Sequence, residues 1–155
     1  MLVKDAMVKK VITVKTNDTL EDVLKKFSRY KISGVPVING KGKIEGLVTE
    51  SDILKTIDIC LPKIRFDNET SFSLILELVK NPNADILKEG KHYKKIKVSE
   101  FMTTELVTIG PEEELLKAAQ IMNKYHFNRI PVIHNEKLVG IIARADIIRA
   151  ITNKK

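Results

Sequence analysis

Two short segments of the sequence combine residue types that could hold a nucleotide. Gly46–Asp52 contains a threonine, a serine and a carboxylate, and Gly140–Asp146 contains an arginine and a carboxylate. Each segment is predicted to lead from a buried strand into a helix N-terminus, where free backbone N–H groups and the helix dipole favour phosphate. Carboxylates accept hydrogen bonds from ribose hydroxyls in nucleotide sites. The pattern therefore favours a nucleotide-like ligand.

The same residues also have a simpler, structural interpretation. Thr49 and Asp52 fit a capping box, which would stabilise the helix by about 1 kcal/mol and do nothing else. The second segment has Ala143 where the capping hydroxyl should be, yet it keeps Asp146. A capping role alone gives little reason to keep the acid without the hydroxyl. We therefore expect both aspartates to bind a ligand, with the Asp52 segment the better candidate for a phosphorylated one.

Both segments belong to a repeat that covers most of the chain. Val3–Met7 returns as Val98–Met102, and the same register carries Val35–Ile38 onto Ile130–Ile133. After a deletion of one residue, Asp52 falls on Asp146. Because one register survives across so many separated segments, the chain is interpreted as an internal duplication.

Each copy predicts the element order β-α-β-β-α. Residues 11–14 and 106–109 are short runs rich in β-branched residues and suit a first strand. Asn39–Gly42 and His134–Lys137 are turn signals that predict a hairpin in each copy. The first strand and the hairpin are separated by apolar residues at helical spacing.

Capping signals predict where the helices begin. Asp18 with Glu21 resembles a capping box for the first long helix, and Pro111 suits the first turn of its counterpart. The closing helices are predicted to begin near Ser51 and near Ala145.

The predicted fold class is mixed α/β, of the α+β type. Two βαββα repeats at residues 1–61 and 96–155 are expected to pack about a pseudo-twofold axis, since neither is large enough to bury a sizeable core alone. Residues 62–95 are predicted to form an inserted helical connector, with an amphipathic helix over 72–79. The lysines between residues 88 and 97 are interpreted as a solvated face or linker.

Composition excludes several classes of protein. Of the 155 residues, 43% are hydrophobic and 30% are charged, which is typical of a soluble globular chain. No apolar run reaches the roughly 20 residues of a membrane span, and no signal peptide is recognised, so a cytoplasmic location is expected. Cys60 is the only cysteine, which excludes an internal disulfide, and the three histidines lack metal-ligand spacing.

The paired Gly-φ-φ-Thr/Ala-x-x-Asp segments (φ, apolar), with Val35-Pro36-Val37 and Ile130-Pro131-Val132, resemble a tandem cystathionine β-synthase (CBS) domain pair, or Bateman module. The resemblance covers nearly the whole chain except the connector. It implies a regulatory module, not an enzyme, that binds AMP, ADP, ATP, S-adenosylmethionine or a related adenosyl effector in two clefts between the repeats. It further implies signalling to a partner by conformational change, a homodimer formed through the helices flanking the clefts, and neither catalytic cofactor nor metal.

The resemblance also assigns ligand-binding residues to each cleft. One cleft would use Thr49, Ser51, Asp52, Thr103, Phe127, Asn128, Arg129, Ile130 and Pro131. The other would use Met7, Val8, Ile12, Lys31, Ile32, Ser33, Gly34, Val35, Pro36, Ala143, Arg144 and Asp146. In both clefts the aspartate would hold the ribose, and the apolar strand residues would sandwich the adenine. Arg129, and Arg144 or Lys31, would contact phosphate.

Two other functions remain as alternatives. The net charge of +7 and the lysine stretch favour a protein that binds nucleic acid through a basic surface, although aromatic residues are only 5% of the chain. An enzyme is less favoured, because the sequence contains no nucleophile paired with a base and no phosphate-cradling glycine loop.

Overall fold

The computed structural model describes residues 1–60 and 95–152, which fall into two compact units. Each unit combines most of one repeat with the leading segment of the other. Unit 1 comprises Met1–Val11, Gly40–Ile44 and Glu105–Lys155, and unit 2 comprises Ile12–Asn39 and Glu45–Thr104. The predicted connector helix and most of the lysine stretch lie outside the described residues.

The described residues form short helices and two-stranded sheets, which is the mixed class that the sequence predicts. In chain order the elements are α1 (Val3–Ala6), α2 (Leu20–Tyr30), β1 (Gly34–Ile38), β2 (Ile44–Thr49), α3 (Glu50–Cys60), α4 (Val98–Phe101), α5 (Leu115–Tyr125), β3 (Arg129–His134), β4 (Lys137–Ala143) and α6 (Arg144–Thr152). The closing helices α3 and α6 begin within one residue of their predicted starts. Strand β1 pairs with β2, and β3 pairs with β4.

The capping box of α2 lies one residue later than predicted. Thr19 is the N-cap, and its backbone N–H and hydroxyl both donate to Asp22 Oδ2 at 2.9 Å. The prediction of Asp18 with Glu21 was wrong because Asp18 accepts instead from the Lys15 N–H, at 2.9 Å, in the preceding turn.

Helix α5 also begins later than predicted, and Pro111 is not in its first turn. The N-cap is Glu114, and Pro111 lies in the turn before it. The carbonyls of Pro111 and Glu113 accept from the N–H groups of Lys4 and Val3 at 3.0 and 2.9 Å. Because the N-terminal segment uses these carbonyls, the chain at residue 111 is held as a turn.

The first strand of each repeat is shorter than predicted. Val14 forms a single parallel bridge with Val37, and Ile109 forms one with Val132. The prediction of strands over 11–14 and 106–109 was therefore too long. Val14 donates to the Pro36 carbonyl at 3.0 Å and accepts from the Ile38 N–H at 2.9 Å. Because proline has no N–H, Pro36 cannot donate to a residue before Val14 and extend the pairing.

The second hairpin has a two-residue turn that matches its predicted position. Asn135 and Glu136 have φ angles of 49° and 64°, as both central residues of a type I′ turn require. Strands β3 and β4 are antiparallel, with Arg129 opposite Ala143 at one end and His134 opposite Lys137 at the other. The predicted turn therefore positions Ala143 and the start of α6.

Each unit has its own apolar core, completed by a residue from the other repeat. The unit 2 core gathers Leu20, Phe27 and other residues of repeat 1 around Val98, which is fully buried. The unit 1 core gathers residues of repeat 2 around Val3, which is also fully buried. The short helices α1 and α4 are therefore exchanged between the repeats.

Candidate functional site

Asp52 is a buried carboxylate in the first turn of α3, with three donors among the residues that the structure describes. Its Oδ2 atom accepts from the backbone N–H of Thr49 at 2.8 Å and from the Thr49 hydroxyl at 2.9 Å. Its Oδ1 atom accepts from the hydroxyl of Thr103 at 2.9 Å. The residue is 8% exposed. Thr49 and Asp52 therefore do form the helix cap that the structural interpretation predicts.

Asp146 has the same place in α6 but fewer donors. Its Oδ2 atom accepts from the backbone N–H of Ala143 at 2.8 Å, and its Oδ1 atom lies 3.4 Å from Arg149 Nη1. The residue is also 8% exposed. The inference that the absence of a capping hydroxyl argues against a capping role was wrong, because the Asp146 carboxylate caps the helix through an amide that alanine also provides.

The two motif glycines allow a methionine to pack against the backbone. A Cβ atom at Gly46 would lie 2.6 Å from the sulfur of Met102, and one at Gly140 would lie 2.5 Å from the sulfur of Met7. The space beside these glycines is filled within each unit by a side chain of the exchanged segment.

The exchanged segments continue as single paired residues beside the hairpins. Thr103 and Leu47 exchange two backbone hydrogen bonds, both 2.9 Å long. Val8 and Ile141 do the same at 2.9 and 3.0 Å. Thr103 and Val8 therefore occupy corresponding positions, and only Thr103 offers a hydroxyl to the neighbouring aspartate.

The strand residues predicted to contact adenine belong largely to the cores. Val35 and Ile130 are fully buried and lie in the cores of units 2 and 1, respectively. Ile12 and Ile32 are half-buried against the unit 2 core. The turns that precede β1 and β3 contact the closing helices, because the Ser33 carbonyl accepts from the Glu50 N–H, and the Asn128 carbonyl from the Arg144 N–H.

Arg144, a predicted phosphate partner, contacts the end of α5. Its Nε atom donates to the Phe127 carbonyl at 2.9 Å, and Nη2 donates to the Met122 carbonyl at 3.1 Å. The guanidinium thereby satisfies carbonyls at a helix C-terminus, where cations are favourable. Lys31, the other candidate, is exposed and is the left-handed C-cap of α2, with φ 54°.

The predicted site residues are divided between the two units. For the first cleft, unit 2 contains Thr49, Ser51, Asp52 and Thr103, and unit 1 contains residues 127–131. For the second, unit 1 contains Met7, Val8, Ala143, Arg144 and Asp146, and unit 2 contains Ile12 and residues 31–36. Direct contacts within a unit join Thr49, Asp52 and Thr103. The composition of each cleft stays a prediction.

Unit 1 also contains an apolar groove that the sequence did not predict. Its volume is about 350 Å³, and it is lined by Met1, Glu114, Leu115, Leu116, Ala119, Ile147 and Ile151. Leu116 is 64% exposed, and Ile148 and Ile151 are each 63% exposed. The signal was present in the sequence, because Leu116 and Ile148 lie beside the apolar stripes that form the core.

Two features, a metal-binding group and a membrane-spanning helix, are absent from the described part of the chain. No group of three or more His, Cys, Asp or Glu side chains there could hold a metal ion. Within the same residues, no helix is both long enough and apolar enough to cross a membrane.

The CBS domain model matches residues 3–59 and 98–153, which are the two copies of the repeat. The chain belongs to the CBS domain family. It is 35% identical to the uncharacterised protein MJ1426 of Methanocaldococcus jannaschii, over 97% of this chain and 91% of that protein.

Solved CBS domain pairs have the same fold. The CBS domain pair of protein MJ0100, in complex with 5′-methylthioadenosine and S-adenosyl-L-methionine, is 25% identical with a TM-score of 0.69, and the match covers 97% of this chain and 99% of that one. CBSX2 in complex with AMP is 23% identical with a TM-score of 0.72, covering 98% and 96%. The fold match therefore extends over both repeats.

Proposed function

We propose that this CBS pair is a regulatory module that binds an adenosyl effector, with Asp52 and Asp146 as ribose-binding residues. The observation that carries the proposal is the environment of Asp146. Among the described residues, this carboxylate, which is nine-tenths buried, has one backbone N–H and one long ion pair as partners. Buried charges are normally satisfied by several hydrogen bonds, so this carboxylate has room for further donors. The two hydroxyls of a ribose are suitable donors.

The class of effector comes from the solved relatives. The MJ0100 pair binds 5′-methylthioadenosine and S-adenosyl-L-methionine, and CBSX2 binds AMP. These ligands share adenosine and differ at the 5′ position. The proposal therefore covers the adenosyl class, with AMP, ADP, ATP and S-adenosylmethionine as the compounds to test. Regulation would follow if the effector changed the conformation that a partner protein recognises.

Isothermal titration calorimetry with AMP and S-adenosylmethionine tests the proposal. Asp52→Asn and Asp146→Asn keep one oxygen for the capping amide while removing a charge and an acceptor. Asp22→Asn is a matched control, because Asp22 caps α2 through the same two donors of its N-cap threonine. We expect each site variant to lose binding at its own aspartate while keeping binding at the other, and the control to keep both. Equal binding by all four proteins would contradict the proposal.

The salt dependence of binding separates this function from nucleic-acid binding. Repeating the titration at two ionic strengths should change effector affinity only slightly if ribose and base contacts dominate. Binding of a duplex DNA or RNA through the +7 surface should weaken steeply as salt increases. Tight, salt-sensitive binding of nucleic acid without any effector binding would favour the alternative.

The apolar groove of unit 1 supports a second proposal, that the chain forms a homodimer through α5 and α6. Leu116 and Ile151 line the groove, and Ile148 is exposed one helical turn before Ile151 on α6. Two copies could bury these residues against each other in an isologous contact. Leu116→Glu is a suitable test, because Glu21 occupies the corresponding place on α2 and is tolerated there. Light scattering should show a dimer for the wild type and a monomer for this variant. A monomeric wild type would overturn the proposal.

A further inference from the structure

We propose that Asp146 is the high-affinity ribose residue of this chain and that Thr103 lowers the affinity at Asp52 by competing with the ribose for the carboxylate. This inference rests on the proposed adenosyl function and ranks its two aspartates. It also gives Thr103 a role different from the direct ligand contact that the family resemblance implies.

The ranking follows from the acceptor positions that remain on each carboxylate. An ionised carboxylate offers about four such positions, two on each oxygen. In Asp52 the backbone N–H and the hydroxyl of Thr49 fill both positions of Oδ2. The hydroxyl of Thr103 takes one position of Oδ1. Among the described residues these donors leave a single position, so Asp52 can accept only one of two ribose hydroxyls without releasing a partner.

With respect to the part of the chain that the structure describes, Asp146 keeps an acceptor position on each oxygen. The Ala143 N–H takes one position of Oδ2 at 2.8 Å, and Arg149 takes at most one position of Oδ1 at 3.4 Å. The arginine side chain is 65% exposed, so its ion pair is weakened by solvent. Both hydroxyls of a ribose cis-diol can therefore bind Asp146, one on each oxygen, with no hydrogen bond lost.

Two residue pairs create the difference between the repeats. Thr49 corresponds to Ala143, and Thr103 corresponds to Val8, as the matching backbone pairings with Leu47 and Ile141 establish. Both hydroxyls that occupy Asp52 are thus absent beside Asp146. Because threonine and valine have nearly the same shape, exchanging them at positions 103 and 8 changes the hydroxyl and little else.

Reciprocal substitutions test the inference by calorimetry with AMP and with S-adenosylmethionine. Asp146→Asn isolates binding at Asp52, and Asp52→Asn isolates binding at Asp146. We expect at least tenfold tighter binding at Asp146, since one net hydrogen bond corresponds to about a tenfold change in Kd. Thr103→Val, added to Asp146→Asn, should tighten binding about tenfold. Val8→Thr with Ala143→Thr, added to Asp52→Asn, should weaken it about tenfold.

The outcomes distinguish this inference from the function on which it rests. Weaker binding after Thr103→Val would show that Thr103 contacts the ligand, and an unchanged affinity would show that it does not compete; either result overturns the inference. Tighter binding at Asp52 than at Asp146 also overturns it, but leaves the adenosyl function intact. If the wild type binds neither probe, the proposed function itself fails. Thermal melting of each variant confirms that it is folded. The variant that combines Val8→Thr and Ala143→Thr tests the same competition independently, at Asp146.

Discussion

Val3→Ala should destabilise the second repeat, although residue 3 belongs to the first. Val3 is fully buried in the core that contains Leu115 and Ile142. Removing two buried methyl groups loses about 1.6 kcal/mol of transfer free energy, and the cavity left behind adds about 1 kcal/mol. The expected loss in the free energy of unfolding is therefore about 2 to 3 kcal/mol. For a chain of this length, that loss lowers Tm by about 5 to 10 °C.

Amide NMR spectra locate the effect of the substitution. Val3→Ala should shift the amides of residues near Glu113 and Leu115, because the Val3 N–H donates to the Glu113 carbonyl and the Leu115 N–H donates to the Met1 carbonyl. Val98→Ala is the matched variant, since Val98 is fully buried in the other core and should shift amides around Leu20. If Val3→Ala shifted mainly residues 12–39, the exchange of α1 between the repeats would be refuted.

Three further predictions concern local contacts. The backbone N–H of Thr19 lowers the pKa of Asp22. The stability that the Asp22 carboxylate adds is therefore present above its unfolded pKa, near 3.8, and is lost as the pH falls through the lower folded pKa. The difference in Tm between wild type and Asp22→Asn should shrink over that pH range. Gly46→Ala should lower the free energy of unfolding, measured with urea, by about 1 to 3 kcal/mol. The loss should be clearly smaller in a Met102→Ala background, which lacks the sulfur that lies close to residue 46. Equal losses in the two backgrounds would contradict the packing argument. Arg144→Ala should lower the free energy of unfolding by about 1 kcal/mol, because it removes two hydrogen bonds to carbonyl groups. Arg149→Ala should lower it little, since that side chain is exposed. The reverse order of Tm values in thermal melts would contradict the capping role of Arg144.

The local signals in the sequence predict the helices and hairpins well. The helix starts at Glu50 and Arg144 follow from short patterns of apolar, small and acidic residues within one turn. The turn at Asn135 and Glu136 follows in the same way, because a two-residue turn depends on its own residues and the flanking strands. These features are set by neighbours in the chain, so sequence patterns contain the necessary information.

Contacts between distant parts of the chain could not be predicted in this way. The Thr103 hydroxyl reaches Asp52 across 51 residues, and local patterns do not signal the pairing; only the family resemblance, which assigns both residues to one cleft, points to it. The packing of Val3 in the second repeat is equally long-range. The capping argument at Ala143 failed for a different reason, because the sequence shows side chains and the donor there is a backbone N–H.

The two repeats have the same order of helices and strands but differ in the side chains at corresponding positions. In unit 2, two threonine hydroxyls donate to the Asp52 carboxylate. The outer face of α2 in the same unit has a charged residue, Glu21. Unit 1 has an aspartate with free acceptor positions and the apolar Leu116 at the place corresponding to Glu21. Both of the proposed activities, effector binding and self-association, are therefore favoured on the same unit.

Helix α6 connects those two activities within one rigid element. Asp146, where the effector is proposed to bind, lies in its first turn, and its exposed residues Ile148 and Ile151 belong to the face proposed as the dimer contact. A small shift of this helix on binding would move both residues of the face, because the helix moves as a unit. Binding and dimerisation would then be thermodynamically linked, so the factor by which the effector changes dimer affinity must equal the factor by which dimerisation changes effector affinity. Effector binding at one repeat could in this way be transmitted to the dimer contact formed by the same repeat.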